Sequence, residues 1–393
     1  MSENYKCPNC GSLSMSVFYE LEKPPVHSVL LLPTREEALH YPCGDIVLGF
    51  CHTCGFIANV AFNPALHEYS SKYEATQGFS PTFNVFHRRL AQELIGRYDL
   101  HHKDIIEIGC GQGEFLTMLC ELGENRGIGF DPAYIPERMK SEAKERITFI
   151  QDFYSEKYAA YKADFICCKM TLEHIQNTAD FISAVRRSIG DQLKTIVFFQ
   201  VPDITRILRD LAFWDIYYEH CSYFSPVSLT YLFRKCGFNI IDVRTEYEGQ
   251  YLIIEATPDA EYRTAIPVQE DELAQLRRDV TYFVDHYQQR LAAWQQELEK
   301  INQNGQRAVI WGAGSKGVTF LTTLKIRDQI RYAIDINPYK HGTYMAGTGQ
   351  EIVAPEFLQL YKPDIVIVMN PIYCEEIQQI LNKLGITAKL MPV

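Results

Sequence analysis

The sequence lacks the marks of several protein classes. Its 393 residues contain no basic run and no Lys/Arg-rich face, and the formal net charge is −11. A nucleic-acid substrate needs cations clustered against its phosphates, so no nucleic-acid partner is expected. Long hydrophobic runs are missing too. A stretch such as Val29–Leu32 falls far short of the roughly 20 residues that cross a bilayer, so no membrane partner is expected. The start, MSENYKCPNC, has no basic region followed by an apolar core, so no secretory signal is expected and the chain reads as cytoplasmic. Internal repeats and low-complexity segments are also absent.

What is present fits a folded enzyme: 47% hydrophobic and 22% charged residues, in a length that suggests two or three domains. The 12 cysteines would stay reduced in a cytoplasm, so paired ones point to metal or to chemistry rather than to disulfides.

Four regions can be drawn. Residues 1–62 carry a C-x-x-C unit near each end. Residues 63–258 begin with two helical stretches, to about 103. They then alternate strands (Ile105–Ile108, Gly127–Phe130, Ile147–Ile150, Asp164–Cys168, Thr195–Val201) with helices and close on a pair at Ile240–Thr245 and Tyr251–Ala256. This is the pattern of a doubly wound α/β sheet. Residues 267–303 read as one long helix. Leu273, Leu276, Val280, Phe283, Tyr287, Leu291, Trp294, Leu298 and Ile301 form a single apolar stripe, suited to a packed linker or to a dimer-forming coiled coil. Residues 305–393 form a second, smaller α/β unit with strands at Arg307–Trp311, Arg331–Ile334 and Asp364–Met369.

The run Ile105-Ile-Glu107-Ile-Gly109-Cys-Gly111-Gln-Gly113 is a strand entering glycines and then a helix. A dinucleotide fold spaces them G-x-G-x-x-G and sets pyrophosphate on the helix N-terminus. Here the order is E-x-G-x-G-x-G and the helix opens with an acid, Glu114, which suits no phosphate. S-adenosylmethionine has none. Asp131, 18 residues beyond Gly113, would take its ribose hydroxyls, and Asp152, after the third strand, would read its adenine. Glu107, Gly109, Gly111, Gly113, Asp131 and Asp152 are the expected cofactor residues of a class I methyltransferase pattern.

Cys7-Pro-Asn-Cys10 and Cys51-His-Thr-Cys54 are each followed by glycine and can place four thiolates around Zn²⁺. The 40 residues between them exceed the usual spacing, so the segment between must form its own small structure. A four-thiolate site is closed, so the metal would be structural. A redox pair or unliganded thiols are the competing readings, and Cys43 can stand in for one ligand.

Reacting groups in such a sheet gather beyond the carboxyl ends of the strands. Two segments there are dense in titratable groups: Lys169-Met-Thr-Leu-Glu173-His174 and Trp214-Asp-Ile-Tyr217-Tyr218-Glu219-His220. His220 is the candidate general base, with Glu219 and Tyr217 placed to orient it or to polarise a substrate oxygen. A satisfied structural histidine is the bland alternative.

Together these pieces resemble the three-domain sugar C-methyltransferases of deoxysugar biosynthesis. The likeness rests on the two C-x-x-C units, Glu107–Gly113, the Y-x-E-H of Tyr217–His220 and the late Gly312-Ala-Gly-Ser-Lys-Gly317. It implies an N-terminal zinc-binding module, a central class I methyltransferase sheet and a C-terminal Rossmann-like domain. It also implies a nucleotide-linked 4-keto sugar as the small-molecule substrate, deprotonated at C-3 and methylated there. His220 would be the base, Tyr217, Glu219 and His174 would hold the sugar and its keto oxygen, and Tyr73 would reach in from before the central domain. The Gly312–Gly317 loop, with Asp335 18 residues on, fits the dinucleotide pattern. Its expected role is the substrate's nucleotide or a purely structural one rather than NAD, and Asn370–Tyr373 would close on the same ligand. The alternatives are O- or N-methylation of another metabolite, or a zinc-stabilised nucleotide-binding protein without catalysis. A monomer or homodimer is expected.

Overall fold

Strands whose residues are apolar at nearly every position must be covered on both faces, and that requirement organises the chain. The computed structural model describes residues 5–66, 72–138, 140–261 and 269–393. The strands run β1 (Met15–Leu21), β2 (Ile46–Cys51), β3 (Ile57–Asn59), β4 (Asp104–Ile108), β5 (Arg126–Phe130), β6 (Ile147–Ile150), β7 (Phe165–Lys169), β8 (Ile196–Pro202), β9 (Ser222–Tyr223), β10 (Phe238–Glu246), β11 (Tyr251–Pro258), β12 (Ala308–Trp311), β13 (Tyr332–Ile334), β14 (Glu351–Val353), β15 (Ile365–Val368) and β16 (Lys389–Pro392).

They make three sheets. The central sheet has seven strands in the order β10-β11-β8-β7-β4-β5-β6, parallel except that β11 runs against both neighbours. Along β4, β7 and β8 alternate residues face opposite layers. Ile105, Phe165 and Phe198 pack with the helices Pro81–Tyr98 and Glu114–Gly123. Ile106, Ile166 and Phe199 pack with Thr178–Ile189 and Pro226–Lys235. The five parallel strands and the closing pair stand where the sequence pattern puts them.

The N-terminal sheet, β1-β2-β3-β9, is antiparallel, so the segment between the C-x-x-C units does form its own structure. Its fourth strand, β9, comes from the central region, just after His220. The C-terminal sheet, β14-β13-β12-β15-β16, is parallel and has five strands, two more than the three read from the sequence. The edge strands β14 and β16 escaped notice because each begins on a charged residue and β16 ends on proline, whereas the equally short β12, β13 and β15 are apolar throughout.

Two other expectations shift. Between 63 and 103 the described residues hold one α-helix, Pro81–Tyr98, and a single 3₁₀ turn at Pro64–Leu66, not two helices. The long helix runs Glu270–Gln303; positions 267 and 268 lie outside the described residues. Its stripe packs within the chain, with the Phe283 ring 5.6 Å from Tyr19 and the Trp294 ring 5.1 Å from Phe320. The helix therefore ties the first and third sheets together, and its apolar face is already used. No helix among the described residues is long and apolar enough to cross a membrane.

Candidate active site

Two adjoining cavities open beyond the carboxyl ends of the central strands. They share Tyr73, Ala75, Thr76, Gln77, Met170 and His174. The first, about 470 Å³, lies over the loop after β4 and is lined by Glu107, Gly109, Gly111, Asp131 and Asp152.

Asp131, at the end of β5, accepts hydrogen bonds from the backbone N–H of Gly111 and of Ala133, both at 2.8 Å. Burial raises its pKa above the usual carboxylate range. Gly109 has φ +69°, and a Cβ there would stand 2.0 Å from Thr171 Oγ1. Gly111 has φ +55° and nothing within 4 Å of its Cβ position, so it fronts the open cavity. Gly113 is the residue that starts the helix Glu114–Gly123. Glu107 is buried, and its Oε2 accepts from the Leu116 N–H at 2.9 Å, capping that helix from the strand. The helix N-terminus is thus supplied with a carboxylate acceptor by the strand, and Glu114 on its first turn complements the helix dipole. Asp152 lines the far side, and its carboxylate is held by Lys157 and Tyr158.

Lys169 and His87 were not singled out by sequence. Lys169 is the one Lys or Arg among the described residues lining this cavity, against five acids. Its Nζ meets His87 Nε2 at 2.7 Å and sits 3.7 Å from the Phe115 ring centroid. Burial lowers its pKa to about 8, and burial with the neighbouring lysine holds His87 down at about 2. An acidic cavity with one ammonium suits a ligand bearing two cationic groups and one carboxylate, the charge pattern of S-adenosylmethionine.

The second cavity, about 310 Å³, runs between the central sheet and the Gly312–Gly317 loop. At the end nearest the first stand Tyr73, Glu173, His174, Tyr217 and His220. The His220 ring lies 4.0 Å from that of Tyr217 and 4.9 Å from that of His174, centroid to centroid. His220 Nε2 is 4.0 Å from Glu173 Oε1. Tyr73 enters on a segment paired with Leu30, as its place before the central domain suggested.

Glu219 behaves otherwise than the motif implies. It lines neither cavity. It is buried, with Oε1 3.3 Å from His27 Nδ1 and Oε2 accepting from Ser28 Oγ. Burial would raise its pKa, but the bonds from His27 and Ser28 win and keep it below the usual range. Ser28 Oγ also lies 2.7 Å from Ser315 Oγ, at the start of the helix after the second glycine loop. Glu219 thus pins the Tyr217–His220 loop directly to His27 and Ser28 of the N-terminal segment, and through Ser28 to Ser315.

At the far end, Asp335 repeats the Asp131 arrangement: it accepts from the N–H of Ala313 at 3.1 Å and of Asn337 at 2.9 Å. Here, however, Lys340 Nζ also binds it at 3.0 Å, which neutralises the acid that a dinucleotide ribose would need. Lys316 pairs with Asp215 at 2.9 Å, and the Asn370 and Gln250 amides bind each other twice at 3.0 Å. Tyr373 reaches Gln77 at 2.7 Å.

Cys7, Cys10, Cys51 and Cys54 converge with all four Sγ atoms within 4.8 Å of one another. The Cys7–Cys54 and Cys10–Cys51 separations are 3.8 and 3.5 Å, close to the roughly 3.8 Å edge of a tetrahedron with Zn–S bonds of 2.3 Å. Gly55, at φ +73°, lets its N–H turn back to the Cys51 carbonyl at 2.9 Å, the tight turn a knuckle requires. The donor set fits a closed Zn²⁺ site. Cys43 is exposed and outside the cluster, its thiol on the Tyr41 carbonyl.

Two family models match the chain. One described as a methyltransferase domain covers residues 84–243, and one described as a C-methyltransferase C-terminal domain covers residues 259–388. The C-methyltransferase NovU of Streptomyces niveus is 26% identical over 313 residues, spanning 74% of this chain and 72% of NovU. Among solved structures, N,N-8-amino-8-demethyl-D-riboflavin dimethyltransferase from Streptomyces davawensis is 16% identical, over 45% of this chain and 56% of that one, with a TM-score of 0.37. Human N-acetylserotonin methyltransferase, in complex with SAM, is 17% identical over 44% and 56%, with a TM-score of 0.33.

Proposed function

Because the chain is an S-adenosylmethionine-dependent C-methyltransferase, we propose that it methylates the carbon beside the carbonyl of a nucleotide-linked keto-deoxysugar. One observation carries this reading. The acceptor cavity places His220, His174, Tyr217 and Tyr73 next to the cofactor cavity at one end and the Gly312–Gly317 loop at the other. A long acceptor with a reactive ring and a distant nucleotide matches that span.

The cofactor, when bound, supplies an activated methyl group on sulfur. Asp131 would take its ribose, the backbone around Gly109–Gly113 would admit its amino-acid end, Lys169 would meet its carboxylate, and Asp152 would stand at the adenine side. Glu107 holds the loop by capping the helix. His220 removes the proton beside the carbonyl, an acid strong enough for imidazole only while the oxygen is stabilised. Tyr217, His174 and Tyr73 pack about the sugar, and Glu219 fixes the loop rather than touching it. Zn²⁺ on the four thiolates is structural, and no step passes through it.

Incubation with methyl-labelled S-adenosylmethionine and a thymidine-diphospho 4-keto-6-deoxyhexose should give a branched sugar; absence of label in any keto sugar would sink the reading. His220→Asn should lower kcat at least about 100-fold while S-adenosylmethionine affinity stays within about twofold. A fully active His220→Asn removes the base assignment.

A further inference from the structure

Four acids line the acceptor cavity: Glu173, Asp215, Asp335 and Glu376. Three are compensated. Asp215 pairs with Lys316 and Arg206, Asp335 pairs with Lys340, and Glu376 accepts from Ser80 Oγ and the Thr82 N–H. Glu173 differs. It is 1% exposed, and neither carboxyl oxygen has a hydrogen-bond partner among the described residues. Among the described residues its nearest ionic neighbour is His220 Nε2 at 4.0 Å, beyond hydrogen-bond reach.

The groups around it carry no fixed positive charge. They are His174 on its own turn, Tyr217 and His220 on the loop, and Cys221 just after it. Tyr73 comes from the segment before the central domain, Cys168 from β7 and Tyr251 from β11. A buried carboxylate without a partner is costly, so the group is held as the neutral acid, and burial pushes its pKa up to about 8. An unsatisfied buried acid in a working cavity calls for a ligand, and the neutral form has one O–H to donate.

We propose that Glu173 is a second catalytic residue, which donates its O–H to the acceptor's carbonyl oxygen as that oxygen becomes an enolate. The proposal rests on the enolisation reading above. His220 takes the proton as the C–H bond breaks; that electron pair forms the carbon–carbon double bond, and the carbonyl π pair moves onto oxygen. Glu173 keeps its proton and donates a hydrogen bond to the charge formed there. The enolate carbon then bonds to the methyl carbon while the sulfur–carbon pair returns to sulfur. The carbonyl re-forms, and the imidazolium releases its proton to solvent. A carboxylic acid kept neutral by an apolar site is a known donor for such an oxygen.

The test compares wild type, Glu173→Gln and Glu173→Leu with S-adenosylmethionine and thymidine-diphospho-4-keto-6-deoxyglucose. It reads kcat against pH, and the exchange of the acceptor's α-proton into D₂O with S-adenosylhomocysteine in place of the donor. The Leu variant should lose about 100-fold or more in both kcat and exchange, with acceptor KM and cofactor Kd within about threefold. Wild-type kcat should fall as pH rises through about 8, where the donor ionises. The Gln variant, whose amide still donates, should keep activity within about tenfold and lose that alkaline limb. Exchange by Glu173→Leu within fivefold of wild type, or an unchanged alkaline limb in Glu173→Gln, overturns the role. If the Leu variant does not fold, the Gln pH profile decides alone. A wild type that neither exchanges nor methylates defeats the enolisation reading and this role with it; an active wild type matched by both variants defeats Glu173 only.

Discussion

Within the motif Tyr217–His220, two side chains one residue apart face different surroundings. His220 lines the acceptor cavity, and Glu219 turns to His27 and Ser28. The sequence places an acid beside a histidine but does not show which way each points, because that depends on β9 pairing with a strand more than 160 residues earlier. The acid that does face His220 is Glu173, from a different loop. Lys169 and His87 were hidden for the same reason: their meeting joins a strand end to a helix 82 residues away. Gly109 was legible, because its requirement is local. Gly109→Ala would force φ +69° on a side chain whose Cβ overlaps Thr171 Oγ1. It should cost about 1–3 kcal/mol of stability in a chemical denaturation curve, and S-adenosylmethionine affinity should fall at least tenfold. Unchanged affinity in calorimetry would show that the loop adjusts more freely than its geometry implies.

Among the elements, the inner strands β4, β7, β8 and β11 could be read from sequence because each is mostly apolar and ends in a turn, whereas β9 has two residues and β14 and β16 are short edge strands that begin on a charged residue. β9 nevertheless matters most for the site. It follows His220 by one residue and pairs through Ser222 and Tyr223 with β3, whose sheet carries Cys51 at the end of β2; the Asn59 N–H also binds the Cys221 carbonyl at 3.0 Å. The knuckles dock on the central domain as well, with Asn9 Nδ2 on the Ser228 carbonyl at 3.1 Å and Lys235 Nζ on the Asn9 carbonyl at 3.0 Å. A metal held by the four thiolates would therefore steady the loop that carries His220, although the cluster stands outside both cavities. Titrating the thiolates with a mercurial should release about one Zn²⁺ per chain and lower kcat in step with release. S-adenosylmethionine should still bind within about threefold, because the Glu107–Gly113 loop belongs to another sheet. Full activity after complete metal release would separate the cluster from the site.

At the scale of the whole molecule, the central and C-terminal sheets were foreseeable, but how they meet the N-terminal segment was not. Nothing local says that Ser28 from the first module, Glu219 from the second and Ser315 from the third form one chain of contacts. That convergence makes the acceptor cavity a shared surface, so its far end can be altered without disturbing the cofactor. Gly314 is the residue before the helix Ser315–Thr323. It has φ −115°, no side-chain cap and nothing within 4 Å of its Cβ position. An aspartate fits there sterically, is a favoured N-cap and complements the helix dipole, so Gly314→Asp should fold at least as well as wild type. The same carboxylate would face the diphosphate of a nucleotide-linked acceptor and repel it. Acceptor KM should therefore rise more than about tenfold, with the melting temperature and S-adenosylmethionine Kd unchanged. An uncharged acceptor would not register the added carboxylate, so an unaltered KM in Gly314→Asp would remove the nucleotide from this end of the cavity while leaving methyl transfer at the other end intact.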